Sequence, residues 1–411
     1  MAQSKDRVRQ QRHFWNAGRL TSPWIGVLLR MAGRIDVGQL SLVLPDGSNH
    51  VFSGALSADP RAVLELKHSR AVRRLLFGGN NGFAEAYMDG DWDTPDLRAL
   101  LRLAQVNETA LGASINGLAI TRWIDRLRHL TRGNSRRGSR RNIAYHYDLG
   151  NRFYGLWLDP SLTYSSALFD ADGLTLEAAQ ERKIRRIAET IDLRADQHVL
   201  EIGCGWGGFA MMAARDYGCR VTAITVSKAQ FDHASARVRD AGLENRIDVR
   251  LQDYRDVEGT FDRIVSIEMF EAVGEEHWPT FFDVVRNRLK PGGIAGLQII
   301  TIEAERFKQY SRGADFIQTY IFPGGMLPSP AVLEREVARA RLRLTEVHAF
   351  GTSYAETLAE WQDRFQRAWP EIRRLGFDGR FKRMWAFYLA YCEAGFRTDA
   401  IDVAQYKIEQ S

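Results

Sequence analysis

His198-Val-Leu-Glu-Ile-Gly-Cys-Gly-Trp-Gly-Gly-Phe209 reads as a buried strand over 199–202 that runs into a glycine turn and then a helix. Gly203, Gly205 and Gly208 permit a tight bend and let a ligand lie against bare backbone. In an open α/β sheet a nucleotide-type cofactor sits at the carboxyl end of such a strand. Gly203-x-Gly205-x-x-Gly208 also matches the dinucleotide fingerprint, which is a weak signal alone. A nicotinamide site wants an acid about 20 residues on, at the end of the second strand. Here that strand, 220–227, ends in hydroxyls. The acids lie elsewhere: Glu201 at the first strand end, and Gln252-Asp253 after the third strand, 247–251. Polar groups at three successive strand ends suit the amino-acid tail, ribose and adenine of S-adenosylmethionine better than a nicotinamide nucleotide, which stays the alternative.

The strand-helix alternation continues outward from this turn. A helix is expected at about 208–217, another at 228–241, a fourth strand at 261–267, a helix at 278–289 and a fifth strand at 294–301. Such alternation predicts an α/β, Rossmann-like, mostly parallel doubly wound sheet. A late strand at 342–350 is expected to be antiparallel at an edge. Two aromatic-rich helices follow it, with Trp361, Phe365 and Trp369 at i+4 spacing, then Trp385, Tyr388, Tyr391 and Cys392. Upstream, 39–52 reads as two short strands around Pro-Asp-Gly, followed by helices at 82–92 and 97–104. The chain therefore divides into an additional N-terminal α+β module (1–120), a linker (121–141) and a catalytic-type domain with C-terminal helices (142–411).

A length of 411 residues suits two domains, and 45% hydrophobic with 26% charged residues is ordinary for a soluble globular protein. No apolar run reaches membrane-span length, and the amino terminus lacks a signal peptide's apolar core. Three scattered cysteines, Cys204, Cys219 and Cys392, make neither a disulfide framework nor a metal site, so a cytoplasmic location is expected. The net charge of +5 is concentrated: eight arginines between 122 and 141 face one acid, Asp125. Beside Trp123 and Leu127 they would dock on an anionic membrane surface; a solvated linker that binds nothing carries equal weight. No nucleic-acid motif surrounds them.

Five segments together resemble one family, the cyclopropane-fatty-acyl-phospholipid synthases and their mycolic-acid-modifying relatives. They are the stretch from Asn142 to Ser166, Leu251-Gln-Asp-Tyr-Arg-Asp256, Asp262-Arg-Ile-Val-Ser-Ile-Glu-Met-Phe-Glu-Ala-Val-Gly274, Asp315-Phe-Ile-Gln-Thr-Tyr-Ile-Phe-Pro-Gly-Gly-Met-Leu-Pro-Ser329 and Ala394-Gly-Phe-Arg397. The resemblance is strong over about 140–408. It implies methyl transfer from S-adenosylmethionine to the double bond of an unsaturated acyl chain on a membrane phospholipid. Loss of a proton then closes a three-membered ring. An alkene is a feeble nucleophile, so alignment carries the first step. The carbocation it leaves needs a dry pocket with aromatic faces; Tyr147, Phe169, Phe270 and Tyr320 are the candidates.

The resemblance further implies a bicarbonate ion as the base, oriented by Glu271 and bonded by Tyr354. Ser166 stands where a cysteine is usual, Gln298 where a histidine is usual, and Ala272 where a histidine adjoins the glutamate. All three departures are similar to the plant-type enzymes. Ser166 and Gln298 can still hydrogen-bond an anion, but they leave open a methyl- or methylene-branched, furan-precursor product in place of a ring. Cofactor contacts carried over by motif are Tyr164, Ser165, Gly203, Gly205, Gly207, Thr225, Gln230, Gln252, Asp253 and Tyr254; Glu201 is added from its position at the strand end. Cys392 matches a cysteine suspected of a chemical role, although the mechanism needs no thiol. A homodimer and a peripheral place at the inner face of the cell membrane accompany the resemblance. A lipid-binding protein without chemistry and a small-molecule methyltransferase are the competing classes; the first does not explain the intact glycine turn, the second leaves the N-terminal module without a purpose.

Overall fold

The computed structural model describes residues 23–115 and 149–410. The arginine-rich stretch at 121–141 and Tyr147 lie outside the described residues.

The N-terminal lobe runs α1 (Pro23–Ala32), β1 (Val37–Val43), β2 (Asn49–Ser53), β3 (Ser57–Leu66), α2 (Arg70–Met88), β4 (Trp92–Asp93), α3 (Leu97–Val106) and α4 (Glu108–Ile115). Its sheet has the order β2-β1-β3-β4, with β1 antiparallel to β2 and parallel to β3. The expected hairpin around Pro45-Asp46-Gly47 is there, Gly47 taking the positive φ that the turn requires. The helical segment expected to carry 82–92 runs from Arg70 and stops at Asp89-Gly90, which delivers Trp92 to a strand.

The catalytic lobe opens with α5 (Asn151–Tyr154) and α6 (Leu176–Thr190). It continues through β5 (His198–Ile202), α7 (Gly208–Met212), β6 (Arg220–Thr225), α8 (Lys228–Asp240), β7 (Ile247–Leu251), β8 (Phe261–Ile267), α9 (Trp278–Arg288) and β9 (Leu289–Ile302). It closes with α10 (Ala304–Tyr310), α11 (Pro330–Arg339), β10 (Leu342–Ala349), α12 (Gly351–Arg374), α13 (Gly379–Arg397) and β11 (Ile401–Gln410). The seven-stranded sheet has the order β10-β11-β9-β8-β5-β6-β7. Strands β5 to β9 run parallel, while β11 is antiparallel to both β9 and β10. The near-continuous burial of β5 is what a parallel strand covered on both faces demands. Local signals place the helices: Thr175, Ser227 and Asp378 cap α6, α8 and α13 by accepting from the amides of Ala178, Gln230 and Phe381.

Two features depart from the sequence reading. The chain ends in a strand, β11, inserted between β9 and the edge strand β10; its apolar residues alternate poorly because Ala404, Gln405 and Tyr406 are buried in succession. The helix after the glycine turn loosens into a π turn over Ala213–Tyr217.

The lobes share one core. A single hydrophobic cluster runs from Leu28, Leu42 and Leu64 through Phe153, Trp157 and Trp361 to Trp385 and Val403. Arg383 Nη2 donates to the Trp92 carbonyl (2.8 Å), Arg98 Nη2 to the Ala359 carbonyl (2.7 Å), and Tyr320 Oη to Glu85 Oε1 (2.6 Å). The aromatic stripes of α12 and α13 are core that also fastens the N-terminal lobe.

Candidate active site

The sheet reverses its strand order between β5 and β8, and the loops leaving these two strands diverge above their carboxyl ends, where a doubly wound sheet opens a crevice. A cavity of about 1280 Å³ occupies it and continues between the lobes, lined there by Leu28, Leu40, Leu64, Leu100 and Leu103. Small-ligand pockets are about 300–1,000 Å³, so this one has room for a cofactor and part of a long apolar chain.

The glycine turn forms one wall. Gly203 (φ +82°) and Gly205 (φ +52°) line the cavity. A Cβ on Gly203 would stand 2.7 Å from Met269 Cγ, whereas one on Gly205 would meet no protein atom within 4 Å and would project into open space. Gly207 (φ +86°) is left-handed at the start of α7 but is not among the lining residues; its amide bonds the Cys204 carbonyl and its α-carbon faces Ala234. Gly208 takes the lining position that the motif carry-over gave to Gly207.

The other strand ends contribute as their positions suggest. Glu201, Thr225, Gln230, Gln252, Asp253 and Tyr254 all line the cavity. Thr225 Oγ1 donates to Gln230 Oε1 (2.8 Å), and Asp253 is gripped by Arg255 through Nε (2.8 Å) and Nη2 (2.7 Å). Opposite them stand Tyr164, whose hydroxyl bonds that of Tyr388 (2.7 Å), and Ser165, whose Oγ accepts from Lys183 Nζ (2.6 Å). Among the buried polar atoms of lining residues that lack a protein partner are Glu201 Oε2 and the Tyr254 hydroxyl, both at this end of the cavity. A carboxylate oxygen, a hydroxyl and bare backbone fit a ligand carrying ammonium, ribose and adenine groups, so these residues fit S-adenosylmethionine.

The catalytic candidates converge on a residue the sequence reading passed over. Ser166 N–H (2.8 Å) and Gln298 Nε2 (2.8 Å) both donate to Glu268 Oε1, and Tyr354 Oη (2.6 Å) donates to Glu268 Oε2. Ser166 and Gln298 are fully buried behind that carboxylate and do not face the cavity; Glu268 does. Glu271 also lines the cavity, one short turn further on, with Oε1 accepting from Ile300 N–H (2.6 Å) and Oε2 lacking a partner. Glu271 is the glutamate that the resemblance implies; Glu268, immediately after Ile267, stands closer to the end of the fourth strand. Cys392 lines the cavity with burial holding its thiol far above the usual range, so no thiolate forms there.

Aromatic faces surround the cavity, but they are not the sequence candidates. Tyr164, Phe322, Tyr354, Tyr388 and Phe396 line it, with Tyr354 and Phe396 4.5 Å apart and Phe322 edge-on to Tyr388 at 6.2 Å. Phe270 packs instead with Trp278, Phe281 and Phe282, Tyr320 bonds Glu85, and Phe169 packs against the core.

Burial pushes Glu201 up to about 8, and burial with the neighbouring Glu268 charge does the same to Glu271. Burial lowers Lys183 to about 8 against the pull of Glu268, Asp159 and Glu201. The sign of the consequence is fixed by linkage. Between 4.5 and 8 the folded protein holds protons on Glu201 and Glu271 that the unfolded chain has lost, so stability falls as pH rises through that window. From 8 to 10.5 Lys183 contributes a rising slope, but above about 9 the buried thiols of Cys204, Cys219 and Cys392 keep protons that the unfolded chain loses and turn the net slope downward again. The melting temperature of the ligand-free protein should therefore fall from pH 5 to 8, and Glu201→Gln with Glu271→Gln should flatten that limb; a scanning-fluorimetry series over pH 5–8 reads both.

A doubly wound sheet with its glycine turn at the switch point and polar strand ends around it defines an S-adenosylmethionine-dependent methyltransferase. Comparison with known proteins narrows this. The model of the family "Mycolic acid cyclopropane synthetase" matches residues 134–406, so the chain belongs to that family. It is 39% identical to the tuberculostearic acid methyltransferase UfaA1 of Mycobacterium tuberculosis over 90% of this chain and 87% of that protein. It is 37% identical to the cyclopropane-fatty-acyl-phospholipid synthase of Escherichia coli over 85% and 88%, respectively. Among solved structures, mycolic acid cyclopropane synthase CmaA1, complexed with SAH and CTAB, superposes with a TM-score of 0.62 at 32% identity, covering 66% of this chain and 98% of that one. The chain is an enzyme of the cyclopropane-synthase type, methylating an unsaturated acyl chain from S-adenosylmethionine.

Proposed function

We propose that this enzyme converts an unsaturated phospholipid acyl chain into its cyclopropane derivative. The observation that carries the reading is the continuity of the cavity: it joins the glycine turn and Glu268 to an apolar passage through the N-terminal lobe, a course that suits an alkyl chain crossing the methyl donor's site. When bound, S-adenosylmethionine supplies an electrophilic methyl group. Glu201 Oε2 offers an acceptor to its ammonium group, Gln252, Asp253 and Tyr254 border the adenosine end, and Tyr164 and Ser165 close over it. The leucines of the N-terminal lobe exclude water and align the chain, and Tyr164, Phe322 and Tyr388 present aromatic faces to a developing cation. The name of one relative speaks of a ring-forming synthase and that of another of a tuberculostearic acid methyltransferase; two carboxyl groups at the reaction end, Glu268 and Glu271, supply the base that ring closure needs.

The reading extends to a cytoplasmic enzyme peripheral at the inner membrane face, docked through the arginines at 122–141, and to a homodimer. No helix among the described residues is long and apolar enough to cross a membrane. Incubation with vesicles of unsaturated phosphatidylglycerol, followed by mass spectrometry and NMR of the released fatty acids, should show addition of CH2 with cyclopropyl proton signals. Branched methylene signals would replace the ring by the alternative product, and no one-carbon addition would overturn both. Sedimentation with the same anionic vesicles tests the docking, and sedimentation velocity tests the dimer.

A further inference from the structure

We propose that Glu268 is the general base of ring closure, its own carboxylate filling the anion seat formed by Ser166 N–H, Gln298 Nε2–H and Tyr354 O–H, so that this enzyme works without a bound bicarbonate. The proposal deepens the cyclopropane reading above and rests on it.

Three donors from three distant parts of the chain aim at one carboxyl group. With Glu268 in place, all three are used, and no second anion can be held by them. The same bonds leave Glu268 Oε2 with a single donor while the residue opens onto the cavity, so this oxygen keeps a lone pair for a proton from the substrate. The backbone supports a functional placement. Glu268 sits at φ +50°, in the left-handed region that side chains with a β-carbon avoid, and such strain collects at active sites. Its amide is pinned by the Gln298 carbonyl at 2.8 Å, which holds the side chain toward the three donors.

The charge distribution agrees. Burial raises both Glu268 and Glu271, but Glu268 is countered by Tyr354, Lys183, Ser166 and Gln298, whereas Glu271 has only backbone donors, Ile300 and its own amide, and the repulsion of Glu268. With three donors on its carboxyl group, Glu268 is therefore the better supported of the two as the anion. The step balances as follows. After methyl addition the acyl chain carries a cation. Glu268 Oε2 removes one proton from the added carbon, and the C–H electron pair becomes the bond that closes the ring. A neutral cyclopropane and a neutral Glu268 carboxyl result, and the carboxyl returns its proton to solvent as product leaves.

The test uses the full-length enzyme with unsaturated phosphatidylglycerol vesicles in carbonate-free and bicarbonate-supplemented buffer. Wild type should form ring at rates within about twofold in the two buffers. Glu268→Gln should lose about 100-fold or more in ring formation, the range general bases supply, with its remaining product shifted from ring to methylene-branched chains. Glu268→Gly relieves the positive φ and empties the seat; calorimetry should show S-adenosylmethionine affinity within about threefold of wild type, and added formate should restore ring formation at least tenfold in a saturable way. Wild-type activity that depends on bicarbonate overturns the proposal, as does a Glu268→Gln enzyme with unchanged rate and product ratio, or a cofactor-binding Glu268→Gly enzyme that formate does not rescue. Absence of any one-carbon addition by the wild type is a separate result, which overturns the functional reading and the proposal with it.

Discussion

Gly205→Ala should lower the affinity for S-adenosylmethionine by about 100-fold, or about 2.7 kcal/mol, while the protein stays folded. A Cβ at this position meets no protein atom within 4 Å and points into the cavity where the ligand must press against the turn. The folded state pays only the left-handed strain of a non-glycine residue at φ +52°, about 1–2 kcal/mol. The neighbouring glycines make the control. Gly203→Ala brings a methyl group within 2.7 Å of Met269 Cγ and should depress both stability and binding. Gly207→Ala has ordinary room beside Ala234, away from the cavity, so it should cost about 1 kcal/mol of stability and leave affinity within about threefold. Calorimetric titration and thermal melts on the three variants separate the cases. Equal binding losses at 205 and 207 would mean that the turn acts through its shape alone, not through contact.

Lys183→Met should destabilise the ligand-free enzyme by about 3 kcal/mol at neutral pH. The ammonium is fully buried, donates to Ser165 Oγ, and is the positive neighbour of Glu268, Asp159 and Glu201. Methionine matches its length without its charge and leaves the Glu268 carboxylate uncompensated in a buried site. The loss must depend on pH. Removing the cation raises the folded-state pKa of Glu268 and Glu201 further, so the deficit grows as pH rises and shrinks as pH falls. Urea unfolding at pH 5.5 and 7.5 measures the difference. A deficit that does not change with pH would show that Lys183 acts through packing alone.

How far these features could be read in advance depended on the distance over which each is encoded. The glycine turn was legible because positive φ is a local demand that glycine meets, and Gly203 and Gly205 both take it. The parallel strands were legible because a strand covered on both faces must be apolar throughout, as β5 is. Strand β11 was missed because its burial comes from pairing with β9 and β10 on both sides, which removes the polar alternation that marks a strand. The aromatic candidates for the cavity wall were misplaced because ring type does not encode direction: Phe270 turns into the sheet's core, and Phe322, seven residues beyond Asp315, turns toward Tyr164.

Glu268 shows the limit most clearly. Its partners lie 102, 30 and 86 residues away, and their three donors meet only when the loop before α6, strand β9 and the first turn of α12 are packed around the end of β8. Taken alone, the amino-acid sequence determined a methyltransferase sheet, its cofactor turn and its family, since backbone freedom, apolar periodicity and short motifs act within a few residues. Which carboxylate meets the three donors, which rings line the cavity, and that the cavity extends between both lobes were decided by tertiary packing, because each depends on groups that only folding brings within hydrogen-bonding or van der Waals range.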